Sequence, residues 1–321
     1  MTKDEFFAEL ASHLRGLPEA EVAEARAYYE EYFSDALESG QTEAEICAQL
    51  EPPAQIAARI RADLGGGPDG GDAENVETSG DPRYVELDIT GARRISLGII
   101  TRDIEIVRGG SRAAMTLYTC VKDEFSALRF ADGLVKVRVD KRWSGRHGRA
   151  YTRAVNRMSP EQRRLLIMLP DGAELDDVSV STVSGTLTLR GLGVKEFHGN
   201  TVSTRVAVSG CTFARFLLNG VSGDVDMGDC AVETLTQHVI SGNLRYRGTI
   251  GRSLTLDAVS GTLILTLPGA LPQYTFRLSS VSGHILLDGG QRYRGGVGSG
   301  PVLIQAATVS GDMHVSLGGG A

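Results

Sequence analysis

Serine, glycine and aspartate stand together in VSGDVDM, Val221 to Met227, where a serine nucleophile could sit beside an acid. Such a serine needs a base within hydrogen-bond reach. The six histidines, His13, His147, His198, His238, His284 and His314, do not recur in step with it. Relatives of the stretch do recur: VSGTLTL, ISGNLRY, VSGTLIL, VSGHILL and VSGDMHV. Equivalent serines in a series cannot each be a nucleophile, so the motif reads as frame. Asp224, Asp226 and Asp229 are a second group, of the kind some β-helix polysaccharide lyases and hydrolases gather on one face. They fall within one repeat, and strand alternation sends Asp224 and Asp226 outward. A carbohydrate-active enzyme is therefore the remote alternative, and a non-enzymatic protein without catalytic, metal or cofactor residues is expected.

Three other groups could do chemistry. Residues 136–164 hold 10 Lys and Arg against Asp140 and Glu161, with Trp143 and Tyr151 between them. Lys136, Arg138, Lys141, Arg142, Arg146, Arg149, Arg153 and Arg157 form a candidate patch for an anionic polymer, lipid headgroups or an acidic helical head, with nucleic acid ranked last. The bland reading is a strand, a variable solvated loop and a short helical turn opened by Ser159-Pro160. Cys211 and Cys230 share a repeat position, so stacked strands would make them neighbouring thiols, as reduced apolar side chains or a redox pair. GGVGSG (295–300) has half the glycine pattern of a phosphate loop but no following helix or lysine, and reads as a flexible insert.

The elements that position these groups follow from a repeat. Ser184, Ser203, Ser222, Ser241 and Ser260 are each 19 residues apart, and Ser282 and Ser310 continue the series after 22 and 28. Gly185, Gly223, Gly242, Gly261, Gly283 and Gly311 follow the serines, Thr204 replaces glycine after Ser203, and Arg102 takes the glycine place in an earlier, less regular turn. Val183, Val202, Val221, Ile240, Val259, Val281 and Val309 precede them; Leu187, Val206, Val225, Leu244, Leu263, Ile285 and Met313 come three places after. Period-2 alternation gives strands with one buried face, and strict repetition of the columns stacks those faces. The expectation is a parallel β-solenoid (β-helix) of about 19 residues per turn over 83–321. Glycine would supply the corners and serine would bond backbone there. The last turn, Ser310 to Leu317, would present an open edge.

Residues 1–64 differ. Phe6, Phe7, Leu10 and Leu14 form a helical stripe, Val22 to Ala36 continue it on a second helix, Thr42 and Glu45 form a capping box, and Ile56, Ile60 and Leu64 mark a fourth short helix. With 14 Asp and Glu against 5 Lys and Arg, this head is strongly acidic. Residues 65–82, rich in Gly, Asp and Glu, read as a flexible linker. No apolar run could span a membrane as a helix, no secretory signal is visible, and the four cysteines are too few for a disulfide framework; a cytoplasmic protein is expected.

Residues 3–64, through YYEEYFSDALESG, TEAEI and the late P-x-x-I, resemble the HAAS-type helical domain of bacterial signalling proteins. Residues from Tyr84 onward, through LLIMLPDGAELDDVSVSTVSG and the VSG series, resemble an adhesin-labelled family of bacterial repeat β-solenoids. Together they imply a small all-α head on an all-β solenoid. The implied function is a signalling or scaffold role in envelope stress, with a PadR-like regulator or envelope-stress component as protein partner. The alternative they imply is a surface-associated, adhesin-like binding protein.

Overall fold

The computed structural model describes residues 2–15, 29, 33, 42–49, 52–57, 83–143, 148–287, 291–292 and 295–318. The chain splits into two compact units, Met1–Asn75 and Val76–Ala321. The expected linker (65–82), Arg146, and most of the second and fourth helices of the head lie outside the described residues.

In the first unit, α1 (Lys3–His13) begins at a capping box made by Thr2 and Glu5, and α2 (Glu43–Gln49) follows the expected one, where Thr42 N donates to Glu45 Oε2 at 2.9 Å. A helical turn at 53–57 follows Pro52. Phe6, Leu10, Leu14, Tyr29, Phe33, Ile46, Ile56 and Ala57 form its own apolar core.

The second unit is all-β, with long parallel strands built on the repeat. β1 (Arg83–Asp88) to β6 (Leu134–Val139) lead to α3 (Gly148–Asn156), α4 (Pro160–Arg163) and β7 (Arg164–Leu169). Then come β8 (Glu174–Arg190), β9 (Gly193–Ser209), β10 (Thr212–Ser222), β11 (Val225–Ser241), β12 (Leu244–Ser260) and β13 (Leu263–Leu267). The last elements are β14 (Tyr274–Ser280), β15 (Ile285–Leu287), β16 (Gln291–Arg292), β17 (Gly295–Val297), β18 (Val302–Ser310) and β19 (Met313–Leu317). Glu174 pairs with Gly193, Ser184 with Ser203, Ser203 with Ser222, Ser241 with Ser260, and Ser260 with Ser310, all in parallel register. The inward columns fill one core: Phe197 and Phe216 stack at 4.5 Å, close to the strand spacing itself.

Stack order departs from chain order at both ends. β18 and β19 lie between β12–β13 and β14–β15, so the last turn is interior, not the open edge expected of it. The terminal position belongs to β14–β15, and the glycine-rich insert pairs along it: β17 antiparallel to β14, β16 antiparallel to β15. That segment therefore contributes sheet and corrects the reading as a flexible insert. At the other end β2 (Arg94–Thr101) and β3 (Asp103–Arg108) lie between β8 and the pair β6 and β7, beyond which β4 (Ala114–Thr119) and β5 (Phe125–Ala131) pair antiparallel. Antiparallel strands at each end occupy hydrogen-bonding edges that a parallel stack would leave open.

Candidate interaction surfaces

The Ser-Gly positions form one corner of each turn. Gly185, Gly223, Gly242 and Gly261 have φ between +115° and +143°. A Cβ at Gly223 would lie 2.1 Å from Thr204 O, so backbone stacks directly on backbone. Gly311 meets Gly261, and Gly283 meets Gly311, in the same way. The hydroxyls tie turns together: Ser203 and Ser222 share a hydrogen bond of 3.1 Å, Thr101 and Ser184 one of 2.6 Å, and Ser222 Oγ donates to Val202 O. Two residues beyond the serine, Asp224 Oδ1 accepts from Asn243 N at 3.0 Å and from Asn243 Nδ2 at 2.9 Å. Asn243 Oδ1 accepts in turn from Thr262 N. Asp224 is held below its ordinary pKa, first by the Asn243 backbone amide, and so acts as a charged acceptor in a ladder and not as a proton donor.

The corner overturns one expectation. The β-branched column before the serine does not join the core: Val183, Val202, Val221, Ile240, Val259, Val281 and Val309 are 43–82% exposed. The core columns on either side of it are buried, Val178 and Val180 before the corner, Leu187 and Leu189 after it. The chain bends between them at the residue after the serine, in positive φ at Gly185, Gly223, Gly242 and Gly261, so counting in twos across the corner assigns the wrong face.

Arg102 takes the place of the corner glycine below Gly185, whose Cβ would meet Arg102 O. Its side chain is fully buried and ion-paired to Glu124. Arg102 Nε donates to Glu124 Oε1 at 3.1 Å, Tyr151 OH to the same oxygen at 2.8 Å, and Cys120 N to Glu124 Oε2 at 3.0 Å. Burial works against the Arg102 charge, but Glu124 beside it leaves the guanidinium pKa raised; burial raises the Tyr151 phenol. Repeat counting placed Arg102, but its acidic partner was missed, because Glu124 lies in the irregular lead-in to β5.

The basic patch is dispersed and ordered. Tyr151 and Val155 of α3 are fully buried, and Trp143 stacks on Tyr151, so most of the segment read as a solvated loop is a helix against the core. Arg142 is engaged with Asp140 at 3.1 Å, Asp123 and the Trp143 ring. Lys136 and Arg138 share the outward side of β6; Arg153 and Arg157 are exposed on and after α3; Arg149 has no described side chain. A groove of about 460 Å³ gathers arginines that the segment scan passed over: Arg190, Arg205, Arg245 and Arg247. Arg190 and Arg205 come from two successive turns and Arg245 and Arg247 from a third, so only the stacking of the turns brings them together. The same groove holds Asp224, Asp226 and Asp229, with Arg247 bonded to Asp229 at 3.0 Å.

Cys211 and Cys230 are buried at the second corner of successive turns. Cys211 Sγ accepts from Leu192 N at 3.4 Å. Burial pushes the Cys230 thiol up to about 11, and Cys211 beside it adds to the rise. Asp177, Glu196 and His198 place ligand atoms within 4.8 Å of one another, the spacing a cation could use. Arg215 Nη1, 3.0 Å from Glu196, already supplies positive charge there. Among the described residues no helix is long and apolar enough to cross a membrane.

Residues 5–59 match the HAAS family and residues 95–316 match Toastrack DUF4097. No curated protein matches the chain. Among solved structures, a candidate cell adhesion protein from Clostridium sporogenes is similar at 10% identity and TM-score 0.30, covering 74% of this chain and 99% of its own. A candidate adhesin from Bacteroides fragilis is similar at 11% identity and TM-score 0.41, covering 74% and 98%. With the matched region spanning the whole stack from β2 to β19, the chain belongs to the Toastrack DUF4097 family and carries a HAAS domain at its N-terminal end.

Proposed function

We propose that this is a bacterial scaffold protein that works by recognition, in envelope-stress signalling, through two surfaces. The acidic HAAS domain engages a protein partner, a PadR-like regulator or an envelope-stress component, and the β-solenoid, with turns of about 19 residues, is the rigid binding or assembly surface. The observation that carries this reading is the division of the chain into two units, each with its own apolar core. The outward charged groups of the solenoid support it: they form ladders and ion pairs, and Asp224 is held ionised by amides instead of being poised to donate a proton. We divide the chain for testing into head 1–64, linker 65–82 and solenoid 83–321. Removing residues 1–64 is expected to abolish co-purification of a PadR-like regulator, while the remaining chain keeps its β circular dichroism. Unchanged co-purification would overturn the assignment of the head.

A further inference from the structure

The column before the corner serine runs through the stack as Ile100, Val183, Val202, Val221, Ile240, Val259, Val309 and Val281. Most of the large exposed apolar side chains of the described residues fall in this single column. From Val183 to Val281, with strands ~4.8 Å apart, its exposed part is an aliphatic ridge of about 29 Å; Ile100 is half-buried against the core. An apolar stripe of that extent is unusual on a surface that binds nothing. Beside it lies a groove of about 530 Å³. Val183, Val202 and Val221 form one wall, Asn200 and Asn219 line it, and Arg138, on the strand paired to Gly98, stands at its end with Lys141. Among the described residues no acidic one lines this groove.

We infer that the ridge and groove are a docking site for an acidic amphipathic α-helix of a partner protein. Spacing and charge select this occupant. A helix presents one apolar position per turn of 5.4 Å, so against ridge knobs ~4.8 Å apart it drifts only about 2 Å over three turns. An extended strand repeats the same face every ~6.7 Å and loses register almost at once. A second copy would match in spacing. Ridge against ridge, however, is one side chain wide, short of the ~800 Å² per partner of a stable interface, and would bring no acid to Arg138. A helix covers both the ridge and the groove and brings its acidic face to Arg138.

The test uses the full chain and a labelled helical peptide of about five turns, with Leu on one face and Glu on the other, read by fluorescence anisotropy. A peptide with Lys for Glu is the control. The acidic peptide is expected to bind at least about tenfold tighter than the basic one. Val202→Thr with Val221→Thr is expected to weaken it by about tenfold, and Arg138→Gln to erase the preference for acid. These side chains are exposed, and unchanged circular dichroism confirms the fold. Equal binding of both peptides, or valine variants that bind as the parent does, would overturn the proposal. Dimerisation in sedimentation that the valine variants abolish would also overturn it, in favour of a second copy.

Discussion

The regular middle of the solenoid and its N-terminal end close the same corner by opposite means. In the middle, Gly223, Gly242 and Gly261 stack backbone on backbone with no room for a side chain. At the end, β6 and β7 are joined by residues 140–163, which detour through α3 and α4 in place of a corner. Arg102 sets its backbone against Gly185 and buries its guanidinium, which Glu124 neutralises. Repetition allows a corner without side chains, because each turn covers the last. Where repetition stops, something large and fully bonded must stand in for the missing turn.

Breaking the middle should have the larger effect. Gly223→Ala forces a side chain into positive φ and onto Thr204 O, and is expected to destabilise the solenoid by more than about 4 kcal/mol in urea unfolding. At the end, Arg102→Met strands the Glu124 carboxylate and is expected to lose about 3–5 kcal/mol. Adding Glu124→Gln should recover part of that loss, because the neutral amide oxygen can still accept from Cys120 N while the Tyr151 hydroxyl turns to accept from the amide NH2; no recovery would mean that the pair's charge is not what matters. Within the middle, Gln237 is buried with an unpartnered Oε1 at a core position, in the column of Leu218 and Leu256. Gln237→Leu should stabilise by about 1–2 kcal/mol in the same assay. The smallest effect sharpens the role of the ladder. Asp224 has a lowered pKa, so its contribution is present above the ordinary carboxylate value near ~3.9 and is lost as pH falls through the lower folded value. Asp224→Asn should therefore destabilise by less than about 1 kcal/mol at pH 7 and flatten the loss of stability below about pH 4.

Much of this architecture was legible in the sequence. The 19-residue series of serines located the corners, placed Thr204 and Arg102 at glycine positions, and put Cys211 and Cys230 in successive turns. Capping at Thr42 and Glu45 was also readable, because it depends on residues three apart. The ridge was misassigned for a local reason: alternation holds only along an extended strand, and it fails where the chain bends at each corner. Arg190, Arg205 and the pair Arg245 and Arg247 went unnoticed because a scan for charged segments is blind to residues on separate turns.

The sequence by itself determined the strand period and the corner positions, since each is written in spacing. Only the tertiary structure decided which turn lies at each end of the stack, because parallel turns of one repeat are nearly interchangeable partners and chain order does not rank them. It alone turned the valine column outward and gave Arg102 its acid, because both depend on which backbone lies above and below a corner.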